Sequence, residues 1–298
     1  MFEVPPRPPL PAEQSAAGPM SLRFEDVSQD GRLMLMSIPH GLGEVLWREV
    51  LARHAIYLGL LADGIIPILS RLVIGSLDAP ISIRRSLEAD AGFQLAHTVN
   101  AGGEVDRLVL NLWLDVYGEC GSTYGTPPAR AGERLHVGRV FAEHVFTRLF
   151  AGPGERKVLR FEGHGLPPVP EARYEWRAAD ALFTLPEGAR WLDDELVRDT
   201  TVVVFGIGQT DANQHVNSLV YPAIVEAAAL RRFHAMGEPS ALLPRFAELV
   251  FRKPSFAGEA VTLATRAFAM GERLGVVGVV GADGEARPRV IAQMLFER

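Results

Sequence analysis

The sequence predicts an α+β protein in which one pattern is used twice, and three observations carry that prediction. Strand-like runs follow one another without intervening helices, so they pair as antiparallel meanders. Each half opens with a strand-like run, a turn and one long helical stretch before its meander begins. Between the halves, residues 151–198 concentrate Gly, Pro and charged side chains, as a linker does.

The elements follow in order. Residues 1–19 (MFEVPPRPPLPAEQSAAGP) are proline-rich with few large apolar side chains, which reads as a disordered or polyproline-II tail. In the first unit, 20–150, Arg32–Ile38 reads as a strand and Gly43–Leu61 as a long helix. Strand-like runs then cover Pro67–Ile74, Ile81–Thr98, Arg107–Tyr117 and His136–Phe150. In the second unit, 199–298, Thr200–Ile207 is a β-branched strand, followed by an Asx-rich turn and a helix reaching Met236. Pro222 suits the first turn of a helix and no later position, so the regular helix is expected to start near it. Ala223, Ala227, Ala228 and Ala229 leave that helix small on several faces, as close approach by a sheet requires. Leu243–Arg252, Ala260–Ala269, Leu274–Val280 and Arg287–Phe296 complete the strands, with Asp283-Gly284 marking a hairpin turn.

Composition narrows the function. With 298 residues, 48% of them hydrophobic and 22% charged, the chain can bury a large core and is neither disordered nor fibrous. A net charge of −6 argues against a nucleic-acid binder that works by neutralising phosphates. The single cysteine, Cys120, excludes internal disulfides and cysteine-rich metal sites. The most apolar stretch, Ala55–Leu77, holds Asp63, Gly64, Pro67 and Arg71, so it reads as core rather than as a membrane span. No apolar signal core occupies the first residues, and a cytoplasmic location is expected. Gly206-Ile207-Gly208 lacks the third glycine of a dinucleotide site, no Gly-x-Ser-x-Gly elbow occurs, and His136, Glu143 and His144 lack zinc-protease spacing. Neither a cofactor nor a metal is expected.

One segment concentrates chemistry. Between the strand and the helix of the second half, Asp211-Ala212-Asn213-Gln214-His215-Val216-Asn217 packs a carboxylate, amides and an imidazole into a short turn. Asp and Asn there have an ordinary role as turn and cap residues. His215 has no such role. An Asp and a His at a helix entrance can share a proton, and the free N–H groups of the helix can polarise a carbonyl. On these residues alone, a catalytic turn and a capped structural turn stand level.

The string TDANQHVNSLVY resembles the signature of hotdog-fold thioesterases, above all the acyl-carrier-protein thioesterases, in which D-x-N-x-H-V-N-N-x-x-Y leads into the central helix. Asp211, Asn213, His215, Val216, Asn217 and Tyr221 match it, with Ser218 at the second Asn. Glu226 on the helix and the run Phe251–Glu259 are similar to the same family. The resemblance covers Thr200 to the C-terminus and implies a tandem (double) hotdog, each unit a long helix packed against an antiparallel sheet, the acyl chain lying between the two. It implies metal-independent hydrolysis of an acyl-coenzyme A or acyl-carrier-protein thioester. Asp211 is then general base or nucleophile, His215 a proton shuttle and Asn213 an orienting amide. Backbone amides at Val216 and Asn217 complete an oxyanion site, with Tyr221 and Glu226 in support. Arg252 and Lys253 are candidates to hold the substrate phosphates or an acidic carrier, as are Arg231, Arg232 and Arg245.

One departure stands out: where plant-type members carry Glu-Cys after the basic pair, this chain has Pro254-Ser255. In the first half the equivalent turn, Ser37–Glu44, lacks the Asp and both Asn, so one active site per chain is expected. Three rivals remain open at this level: a double-hotdog dehydratase, an acyltransferase and a non-catalytic acyl binder. Exposed sheet edges would favour a homodimer.

Overall fold

The structure is a computed structural model that describes all residues except 1, 54, 149, 150, 153, 164, 239, 240 and 298, the side chains of 53, 55 and 56 also lying outside it. The chain divides into two compact units, Val4–Arg177 and Ala178–Arg298 with Met1–Glu3. The break between Arg177 and Ala178 falls inside the segment expected as a linker.

The first unit is an antiparallel sheet in the order β1-β3-β4-β5-β2. Its strands are β1 (Ser15–Met20), β2 (Ile65–Ser76), β3 (Leu87–Val99), β4 (Val105–Glu119) and β5 (Arg134–Arg148). The first residues are not a disordered tail. Ser15–Met20 pairs with β3, and Arg7 donates to Asp90 Oδ1 at 2.7 Å. Pro19 is tolerated there because β1 is an edge strand. Arg32–Ile38 is not a strand either. Only Leu33 bridges, to Val27, because Asp26 draws the segment into a loop by accepting from Ser37 Oγ (2.9 Å) and Arg23 N (2.8 Å).

The long helix expected over Gly43–Leu61 is broken. A π-helical segment spans Leu42–Trp47, a 3-10 turn Leu51–Arg53, and α1 only Ala55–Ala62. Gly41 provides no side-chain cap, and Gly43 and Gly59 lower helix propensity. Packing decides instead: Leu42, Val45, Leu46, Leu51 and Leu60 are all buried. Trp47 packs edge-on against Tyr57 and against His144 of β5. Residues predicted as linker close this unit, with His97 Nδ1 at 2.8 Å from Pro170 O and Arg71 Nη1 donating to the Tyr174 hydroxyl at 3.2 Å.

In the second unit the sheet runs β8-β11-β10-β9. The remaining edge of β9 is shared by β6 (Ala189–Trp191), against Met270 to Phe268, and β7 (Val197–Val204), against Thr265 to Ala260. The others are β8 (Leu243–Phe251), β9 (Ala260–Met270), β10 (Arg273–Gly281) and β11 (Val290–Glu297). Helix α2 (Val220–Ala235) lies on one face and buries Tyr221, Pro222, Val225, Ala228, Ala229 and Phe233. Of the four alanines, Ala228 and Ala229 are buried and Ala223 is exposed, and helix and sheet meet closely at Val225: a Cβ at Gly278 of β10 would stand 2.8 Å from its Cγ1. On the other face Leu182 packs against Val250, Val277 and Ile291. Asp193 ties the layers together, its carboxylate ion-paired with Arg232 of α2 and accepting from Ala267 N of β9 at 2.8 Å. Among the described residues no helix is long and apolar enough to cross a membrane.

Candidate active site

The motif forms a small hairpin that delivers the chain from β7 into α2. After β7 a 3-10 turn, Ile207–Gln209, is held by Gln209 Oε1, which accepts from Gly206 N at 2.8 Å. Thr210 and Val216 then bridge as antiparallel partners, and Asp211 N donates to His215 O at 2.9 Å. The tip is an Asx turn in which Asp211 Oδ1 accepts from Asn213 N at 2.8 Å. Gln214 closes it at φ 63°, the sole non-glycine with positive φ among the described residues. A side chain in that region costs on the order of 1–2 kcal/mol, and such outliers gather at functional sites. Asn217 Oδ1 accepts from Leu219 N at 2.9 Å and so leads into the helix.

Asp211, Asn213 and His215 thus share one turn, with Asp211 and Asn213 exposed and His215 half-buried. Among the described residues no side-chain hydrogen bond joins Asp211 to His215; Asp211 Oδ1 accepts from the backbone N–H of Asn213. The amides of Val216 and Asn217 are not free for an oxyanion: they donate to Ser255 O (2.8 Å) and Gln209 O (2.9 Å). Arg252 and Lys253 are both exposed, and Lys253 pairs with Glu285. Arg231, Arg232 and Arg245 likewise pair, with Asp199, Asp193 and Glu297.

The two supporting residues are placed differently. Tyr221 is buried among Phe205 and Phe251, ring centroids 5.9 and 5.8 Å away, and burial raises its pKa. Glu226 is half-buried on α2. Its Oε2 is shielded from solvent without a hydrogen-bond partner among the described residues, and burial alone raises its pKa. Glu226 is therefore neither the solvated nor the paired surface carboxylate that helix residues of its type ordinarily are.

The run Phe251–Glu259 supplies the floor of the site, and what the sequence did not show is its contact with His215 and its anchoring by Arg289. Turn 252–259 runs beneath the hairpin, where Phe256 bridges His215 and sets its ring 5.2 Å away, edge-on. Ser255, at the position of the plant-type cysteine, is fully buried and receives Arg289 Nη1 at 3.1 Å, which makes it a structural hydroxyl rather than an exposed nucleophile. Among the described residues, no group of three or more His, Cys, Asp or Glu side chains is placed to hold a metal ion.

No family model matches the sequence, and no curated protein matches it significantly. Solved structures do match over nearly the whole chain. An acyl-ACP thioesterase from Bacteroides thetaiotaomicron is similar at 14% identity and a TM-score of 0.59, covering 96% of this chain and 98% of its own. The 12:0-ACP thioesterase from Umbellularia californica is similar at 11% identity and a TM-score of 0.56, covering 95% and 94%. Two α+β units in one chain, the second with its helix seated on an antiparallel sheet, are thus the fold of the acyl-ACP thioesterases.

Proposed function

We propose that this protein hydrolyses an acyl thioester, carried on coenzyme A or on an acyl carrier protein, to a free acid and a thiol. The observation that carries the reading is the strained hairpin at the entrance of α2, which presents Asp211, Asn213 and His215 together on a thioesterase fold. Water adds to the thioester carbonyl carbon, the C–S bond breaks, and the departing sulfur takes up a proton. Asp211 receives the proton of the attacking water, or adds to the carbonyl itself before water releases the acid. His215 delivers a proton to sulfur. With Val216 and Asn217 N–H engaged elsewhere, the developing oxyanion is assigned to the side-chain amide of Asn213, which shares the exposed turn with Asp211 and His215. Exposed Arg252 stays available to the phosphates of the carrier arm.

The test is thiol release from acyl-coenzyme A and acyl-carrier-protein substrates, with the wild type beside Asp211→Asn, His215→Ala and Asn213→Ala. The reading expects losses of about 10²-fold or more in the first two and a comparable loss, up to about 10³-fold, for the oxyanion donor. Thiol release without free acid identifies an acyltransferase. Wild-type rates in the variants contradict the assigned roles.

A further inference from the structure

Beneath the hairpin lies a buried cation that the motif does not include. Arg289 immediately precedes β11, and its side chain is 5% exposed. Its guanidinium reaches three partners: Ser255 Oγ at 3.1 Å, Glu285 at 2.9 and 3.0 Å, and Glu259, with which it forms a close ion pair. Its backbone carbonyl accepts from Arg252 N at 2.8 Å and Lys253 N at 3.3 Å. One residue therefore holds both ends of turn 252–259.

Two contacts at His215 come from this turn. Ser255 O takes the N–H of Val216, next to the imidazole. Phe256 bridges His215, and its own N–H donates to Glu259 Oε2 at 2.9 Å, the same carboxylate that pairs with Arg289. Two short paths thus run from the guanidinium to His215, one through Ser255 and one through Glu259 and Phe256. With two carboxylates already on it, Arg289 has no charge left for a substrate phosphate. Bidentate geometry is what a flexible ammonium cannot supply, so lysine is not an equivalent here.

We propose that Arg289 is a positioning residue for His215, acting through Ser255 and the Glu259–Phe256 pair. The inference rests on the thioesterase reading for its kinetic consequence, but its structural half can be read without turnover. The experiment compares Arg289→Lys, Ser255→Ala and a stability control, Phe296→Leu. Phe296 is a buried residue seven positions further along the sequence, roughly 24 Å away at strand spacing.

Two readouts are taken: kcat and KM for thiol release, and the His215 ring signals by NMR, identified by their loss in His215→Ala. The expected result for Arg289→Lys is a fall in kcat of about 10-fold or more, since displacement of catalytic groups by about 1 Å costs up to 10²-fold. KM should stay within about twofold and the His215 signals should move. Ser255→Ala, which removes only a hydroxyl, should shift the same signals with a smaller loss of kcat, and it decides the matter should Arg289→Lys fail to fold. Phe296→Leu should lower stability and leave the His215 signals in place. Unmoved His215 signals in folded Arg289→Lys or Ser255→Ala overturn the proposal, as do equal shifts in the control. Absent thiol release in the wild type overturns the thioesterase reading, with the NMR comparison still testing Arg289.

Discussion

Helix α2 and β10 touch at one point close enough to be tested by a double-mutant cycle. A Cβ built at Gly278 lies 2.8 Å from Val225 Cγ1 and 3.5 Å from Cγ2. Carbon atoms prefer separations of about 3.5–4.0 Å, so Gly278→Ala requires the helix to move by about 0.7 Å or Val225 to leave its rotamer. Overpacking of this kind costs about 1–3 kcal/mol, of which the relief of a glycine in a strand returns about 0.5–1. Val225→Ala alone removes two fully buried methyl-sized groups, worth roughly 2–3 kcal/mol with the cavity. In the double variant the methyl at 278 enters the space that Val225 vacates. The double should therefore be no less stable than Val225→Ala alone, a coupling of about 1 kcal/mol or more. Urea unfolding followed by circular dichroism measures all four proteins. Additivity within about 0.5 kcal/mol would refute the claim that these two residues set the distance between helix and sheet.

Two further predictions concern buried charge. His144 is buried beside Trp47, and burial lowers its pKa to about 4, below the unfolded value of about 6.5. Between those values the unfolded chain binds a proton that the folded chain does not, so stability falls as pH drops from about 6.5 to about 4, by on the order of 3 kcal/mol. His144→Leu should flatten that segment of the pH–stability curve, and an unchanged slope contradicts the assignment. For Asp193, burial acts upward on the carboxyl but Arg232 and the Ala267 amide outweigh it and hold the pKa below its usual value. Asp193→Ala, by leaving the Ala267 N–H and Arg232 without their acceptor, should cost about 2–3 kcal/mol at neutral pH. This difference should shrink as pH falls through the folded-state value; a pH-independent loss counts against it.

How much of this was legible in the sequence depended on the range of the interaction. The strands of the second unit could be read because β-branched runs such as Thr200–Val204 and the Asp283-Gly284 turn are local signals. Pro222 and the alanines of α2 likewise announced a helix pressed against a sheet. The broken helix of the first unit could not be read, because the conformation of Gly43–Leu61 follows from burying Val45, Leu46, Leu51 and Leu60 rather than from periodicity. The proline-rich start looked like a tail because nothing local reveals that Asp90 awaits Arg7. At the site, the order Asp-x-Asn-x-His located the hairpin, but not the backbone partners of Val216 and Asn217. Those lie outside its local pattern, because the hairpin leans on Ser255, a partner nearly forty residues away in sequence. Arg289 carries little local signal, since of its partners only Glu285 is near in sequence, and Ser255 and Glu259 reach it only in the folded sheet.

The most direct test of the account is to incubate the wild-type protein with a fatty acyl-carrier-protein thioester in ¹⁸O-labelled water and analyse both products by mass spectrometry. The account predicts free thiol and free acid in equal amounts, the acid carrying label from solvent, with both products lost in His215→Ala. An intact thioester, or an acyl group recovered unlabelled on another acceptor, would contradict it.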